Sequence, residues 1–214
     1  MSRLFSSLLL VLTCWSGQAA EPLQVISRSE WGAEAPKADI STYASYGLKQ
    51  PVYVRVVLHV TSQGHAAGMK EMQRLQQYHV QERGFSDIGY NYVIDAEGAV
   101  FEGRALTFVP SHAGRSVEGD RAHDIQLDPD YQSIGVTFTA DPDQALTPAQ
   151  RQSAIKFLQQ LKQTHPITTI LTHAEVGPWM VSQGLTPATE HSLERCPGPV
   201  PMQAIEQIRE QVLP

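Results

Sequence analysis

Apolar positions along this chain follow two different periods, and the places where one gives way to the other mark its elements. Val52 to Val60 (VYVRVVLHV) is β-branched and almost uninterrupted, which predicts a central strand covered on both faces. Met69 to Arg83 switches to helical spacing, with Met72, Leu75, His79 and Val80 on one face. Gly89 to Ile94 and Ala99 to Glu102 flank Asp95-Ala96-Glu97-Gly98, a hairpin signal. Ser133 to Thr139 (SIGVTFT) predicts another strand, and Ile167 to Thr172 a fifth. Thr147-Pro148 opens a helix to about Lys162, because threonine caps the first turn and proline fits inside it. Pro201 to Val212 predicts a last helix with Ile205, Ile208 and Val212 inward. Strands alternate with helices around one hairpin, so the expected fold is α/β. It would be a single domain, with a mixed central sheet of about five strands flanked by about three helices.

Three stretches lack periodicity. Glu21 to Gln50 is expected as an N-terminal arm preceding a domain over residues 51–214. Ser116 to Asp130 (SVEGDRAHDIQLDPD) is acidic and does not follow calcium-loop spacing, so it reads as a solvated loop. Glu175 to Arg195 is a longer connection, and connections of that length are usually functional or mobile. Trp179 within it is expected on one rim of a groove.

Composition narrows the class. At 214 residues, with 42% hydrophobic and 18% charged side chains, the chain can bury a core without disulfides or metal staples. A net charge of −6 argues against a nucleic-acid groove, which needs a basic face. Residues 1–20 (MSRLFSSLLLVLTCWSGQAA) combine Arg3, an apolar run from Leu8 to Leu12, and small residues near Ala19. This is the pattern of an export signal, so the protein is expected to be periplasmic or secreted, with no transmembrane span in the mature chain. Cleavage would remove Arg3 and leave fifteen Lys and Arg against twenty-two Asp and Glu, a net charge of −7.

Cleavage would also remove Cys14 and leave Cys196 as the only cysteine. Exported proteins normally use cysteines in pairs. A lone thiol there suggests an intermolecular disulfide, a nucleophile, a metal ligand or a buried small apolar residue. His59 ends the central strand and His173 follows the fifth. Two histidines and a cysteine are a zinc donor set, and three protein ligands leave the fourth position open, as catalytic zinc sites do.

Seven segments occur in the order shared by one superfamily. They are SRSEWGAEAP (Ser27 to Pro36), VVLHVT (Val56 to Thr61), DIGYNYVIDAEGAVFEGRAL (Asp87 to Leu106), SHAGRS (Ser111 to Ser116), SIGVTF (Ser133 to Phe138), LTHAEV (Leu171 to Val176) and CPGP (Cys196 to Pro199). On these the chain resembles the type-2 N-acetylmuramoyl-L-alanine amidases, the superfamily that includes amidase-type phage lysozymes and the animal peptidoglycan recognition proteins. The resemblance implies that His59, His173 and Cys196 hold Zn2+. Tyr90 would line the water at the metal, and His112 would sit at the substrate cleft. The substrate would be peptidoglycan or muropeptides, cut between N-acetylmuramic acid and L-alanine, by a chain expected to act as a monomer.

Two positions depart from the family pattern. Val60 stands where many relatives carry a second histidine after the first ligand, while Thr61 is kept. Glu194, two before the cysteine, stands where active relatives commonly carry Lys or Thr. A carboxylate there would repel an oxyanion but could serve as a general base. Alternatively, the long connection shifts the register and Arg195 reaches the site. Some members of the recognition branch bind the wall without cutting it and lack the cysteine, so a non-catalytic recognition protein is the alternative function. A secreted antibacterial amidase effector would share the chemistry.

Overall fold

The computed structural model describes residues 22–117, 124–188 and 196–213; the expected export signal lies outside them. Six strands form one sheet in the order β1-β4-β3-β5-β2-β6. They are β1 (Val25–Ile26), β2 (Arg55–Val60), β3 (Tyr92–Ile94), β4 (Val100–Glu102), β5 (Ser133–Phe138) and β6 (Thr169–Thr172). Among the described strands only β3 and β4 pair antiparallel, through the expected hairpin. Asp95 closes its turn by accepting the N–H groups of Glu97 and Ala99 on Oδ1, and Gly98 takes the left-handed backbone the turn requires (φ 84°). The α/β class and mixed sheet are as expected, with a sixth strand added.

The helices are α1 (Arg28–Trp31), α2 (Met69–Gln77), α3 (Pro148–Thr164), α4 (His173–Ser182) and α5 (Pro199–Val212). β2 is buried at every residue and alternates between two layers. Val56, Leu58 and Val60 meet Ile134, Val136 and Phe138 of β5, and beyond them Phe157 and Leu158 of α3 and Ile205 and Ile208 of α5. Val57 faces the other way, against Val176 and Met180 of α4. The same parity sends His59 to the α4 side, with its register partner Thr137 and with Gly135, at the carboxyl ends of the parallel strands.

Four expectations are corrected. α4 occupies the first part of the stretch read as a connection from Glu175 to Arg195. Gly177 and Pro178 interrupt the sequence pattern, yet Thr172 and Glu175 form a capping box that starts the helix upstream of them. The helix expected from Met69 to Arg83 ends as α2 at Gln77 and continues as one wide π turn over Tyr78–Glu82. The acidic loop is not uniformly solvated, because Asp128 and Asp130 are buried at 2% and 0% exposure. Finally, the stretch expected as an arm contributes β1, α1 and a second apolar cluster. In that cluster Trp31 packs with Met72, Leu75, Ile88, Val93 and Phe101.

Trp31 also donates its indole N–H to the Glu102 carbonyl at 2.7 Å, tying α1 to the outer strands. Trp31→Ala should therefore lower unfolding stability by about 3–5 kcal/mol, read from urea denaturation midpoints. A loss under about 1 kcal/mol would mean that the segment adds little to the folded unit.

Candidate metal centre

His59 enters the site from the end of β2 and is almost fully buried, at 1% exposure. His173 is the first residue of α4, directly after β6. Cys196 precedes α5, and its carbonyl accepts the Ala174 N–H at 2.9 Å, joining the two chain segments that carry ligands. The ligand atoms of His59, His173 and Cys196 lie within 4.8 Å of one another. Cys196 Sγ is 3.9 Å from His59 Nδ1, and the imidazole centroids of His59 and His173 are 4.7 Å apart.

The donor set fits zinc. A tetrahedral ion with ordinary Zn–N and Zn–S bonds places such donors about 3.6 Å apart. Thiolate with imidazole selects zinc over magnesium or calcium. Burial depresses the His59 pKa well below the usual histidine value, reinforced by His173 and His112, so the ring is neutral as ligation requires. Burial pushes the Cys196 thiol up to about 11. A cation beside the sulfur would reverse that preference.

Tyr90 and His112 border the same point, with ring centroids 5.1 and 5.2 Å from His59. Tyr90 is held by its neighbours' backbones. Its carbonyl accepts the Arg104 N–H, while Asn91 exchanges bonds with Gly135 through its N–H and its Oδ1. Arg104, buried, spreads its guanidinium over the carbonyls of Asp87, Ile88 and Val109. Burial, with Cys196 nearby, raises the Tyr90 pKa, so the hydroxyl stays a proton donor beside Thr137. Glu194, expected as a candidate general base, and Arg195, its alternative, lie outside the described residues.

Beside this group opens a cleft of about 380 Å³ whose lining includes His79, Arg83, Tyr90, His112, Asp130 and His173. Trp179, expected at the rim, is not among the lining residues. It packs beside Val57 and Met180, with the Arg55 guanidinium 3.9 Å above its ring. Sequence reasoning missed Asp130, His79 and Arg83 as cleft residues. The Asp-Pro-Asp run before β5 was the available signal for Asp130. His79 and Arg83 sit four apart on what reads as an ordinary helix face.

The fold and the three converging donors define an α/β protein with a donor set able to hold a metal at the carboxyl edge of its sheet. Residues 49–199 match the family model described as N-acetylmuramoyl-L-alanine amidase, and the chain belongs to that family. It is 37% identical over 119 residues to peptidoglycan recognition protein 1 of Bos indicus, covering 53% of this chain and 60% of that protein. With Drosophila melanogaster peptidoglycan-recognition protein LB it shares 30% identity over 144 residues, 66% of this chain and 55% of that one. The matched region thus spans little more than half the length of these relatives. The fold is that of Drosophila peptidoglycan recognition protein SD (TM-score 0.63, 23% identity, 86% of this chain and 94% of that one). It is also that of the N-acetylmuramoyl-L-alanine amidase LysC of Clostridium intestinale (TM-score 0.60, 19% identity, 88% and 97%).

The cleft residue His79 yields a pH prediction. Burial first, then the Arg104 and Arg83 charges, lower its pKa from 6.5 to about 4. The unfolded chain therefore takes up a proton between those two values while the folded one does not. This contribution to stability is complete above pH 6.5 and is lost as pH falls towards 4, amounting to roughly 3 kcal/mol at most. In urea titrations at pH 7.5 and 4.5, His79→Gln should lose less stability than wild type on acidification. Equal losses would show that His79 does not carry the slope.

Proposed function

We propose that this protein is an exported, zinc-dependent N-acetylmuramoyl-L-alanine amidase that cuts peptidoglycan between N-acetylmuramic acid and L-alanine. The observation that carries this reading is the convergence of His59, His173 and Cys196 beside an open cleft. A binding-only protein needs the cleft but has no use for three converging metal donors.

A zinc ion held by these three residues would supply Lewis acidity and make water at its open position acidic near neutral pH. The chain's own groups do the rest. Tyr90 stays protonated, so its hydroxyl can donate to oxygen that gains negative charge as the amide carbonyl is attacked. His112 contributes an imidazole to the floor of the cleft. With fixed donors on one side and the cleft on the other, the scissile amide would be held over the metal donors while the sugar and peptide run outward. Export places the enzyme with its substrate, since peptidoglycan lies outside the cytoplasmic membrane. No helix among the described residues is long and apolar enough to cross a membrane.

The second reading, a peptidoglycan-recognition protein without hydrolysis, is favoured by the 37% identity to a protein of that name. Purified sacculi separate the two. Hydrolysis should release free stem peptides and stop with EDTA, whereas sedimentation with sacculi without release supports recognition alone. Activity that survives EDTA would instead indicate Cys196 as a nucleophile. Cys196→Ser should lose both bound zinc, measured by elemental analysis, and peptide release; full activity with full zinc would overturn the proposal. Tyr90→Phe should keep its zinc and slow turnover by roughly a hundredfold.

A further inference from the structure

His59 has a second nitrogen, and its neighbour is unusual. His59 Nε2 lies 3.3 Å from His112 Nδ1. The other nitrogen of that ring, His112 Nε2, lies 3.4 Å from Asp130 Oδ1, and both side chains are wholly buried. The same carboxylate oxygen accepts the backbone N–H groups of His112 at 3.1 Å and Ala113 at 2.8 Å. Asp130 thus grips the turn that carries the imidazole as well as facing its ring. Asp130 is held in turn, donating its own N–H to Asp128 Oδ1 at 2.8 Å. Gly135 of β5 makes room for the ring: a Cβ at that position would fall 2.3 Å from the His112 imidazole.

A neutral imidazole has one donor and one acceptor nitrogen. A proton on His112 Nε2 faces the Asp130 carboxylate, and Nδ1 then presents a lone pair to His59. His59 then donates through Nε2, and its own lone pair sits on Nδ1, the atom facing Cys196 Sγ. That assignment matches donor to acceptor between His59 and His112 and leaves the metal-facing nitrogen of His59 free to ligate.

We propose that Asp130 and His112 form a positioning chain that fixes the tautomer and ring orientation of His59, and that both are determinants of zinc affinity. This moves His112 from the substrate-facing role implied by the family resemblance to support of a ligand. The inference rests on the zinc reading of the site. Ligating histidines generally give their other N–H to an acceptor, and losing such a partner weakens metal binding by about 10–100-fold.

Zinc affinity, measured on the full chain by chelator competition, tests the chain directly. Asp130→Asn keeps an oxygen for the two backbone N–H groups and removes the charge; about tenfold weaker binding is expected. His112→Phe removes both nitrogens and should weaken binding by about a hundredfold. His112→Gln restores an acceptor and should recover part of that loss. Gly135→Ala touches no ligand but displaces the ring, and should weaken binding by at least about tenfold. Thermal midpoints of the zinc-free proteins separate these effects from unfolding. Zinc affinity unchanged in Asp130→Asn and His112→Phe, with wild type binding zinc, would overturn the proposal and leave the amidase reading intact. If wild type binds no zinc, the amidase reading falls with it. Nitrogen-15 NMR of zinc-loaded wild type needs no variant: a proton on His59 Nε2 is expected, and a proton on Nδ1 would overturn the chain.

Discussion

An imidazole buried inside a parallel sheet must have both nitrogens matched to partners, because neither can turn to water. At His59 that requirement organises the surrounding protein. β2 lies between β5 and β6, and His59, one residue before its end, pairs with Thr137 of β5 and is almost fully buried. One nitrogen of His59 faces the Cys196 sulfur and the other faces His112. Much of what surrounds it serves these two contacts. The capping box of α4 sets His173 in place, the Ala174–Cys196 bond holds the thiol, and Gly135 admits a second ring where any side chain would exclude it.

The ligands are also braced from behind. Glu175, in the first turn of α4, accepts from the Thr172 N–H and pairs with the Arg209 guanidinium of α5. α5 follows Cys196 directly and packs against α3 across the core. The helices bearing or following two of the ligands are therefore clamped to each other as well as to the sheet. Proteins of this fold are named both as recognition proteins and as amidases. Function on a shared fold is decided by the side chains at the site. Here those side chains include three groups able to hold a metal and a tyrosine whose pKa burial raises.

Much of the architecture was legible because it rests on local rules. The β-branched run of β2, the Asp95 hairpin, and the Thr147 cap with Pro148 behind it each signal their element within a few residues. β1 was not legible, since two residues carry no period and the strand exists only by pairing with β4. α4 was hidden by Gly177 and Pro178, although tertiary burial of Val176 and Met180 outweighs the weak local propensity. The π turn was hidden because it differs from an α-helix by a single hydrogen-bond step, so His79 read as core when it lines the cleft.

At the site, the sequence by itself determined the chemistry on offer: two strand-end histidines, one lone thiol, and a family pattern that ranks them as a set. Tertiary structure alone decided which atoms meet. His59 and Cys196 are 137 positions apart, and only the sheet and the α4–α5 clamp bring them to 3.9 Å. Asp130 reads as one more acid in a polar loop, yet it is fully buried and grips a histidine 18 positions away. Composition records that a carboxylate is present; whether it is solvated or placed against an imidazole depends on how the chain before β5 folds over the sheet. That is a property of packing between distant segments, which no local pattern encodes.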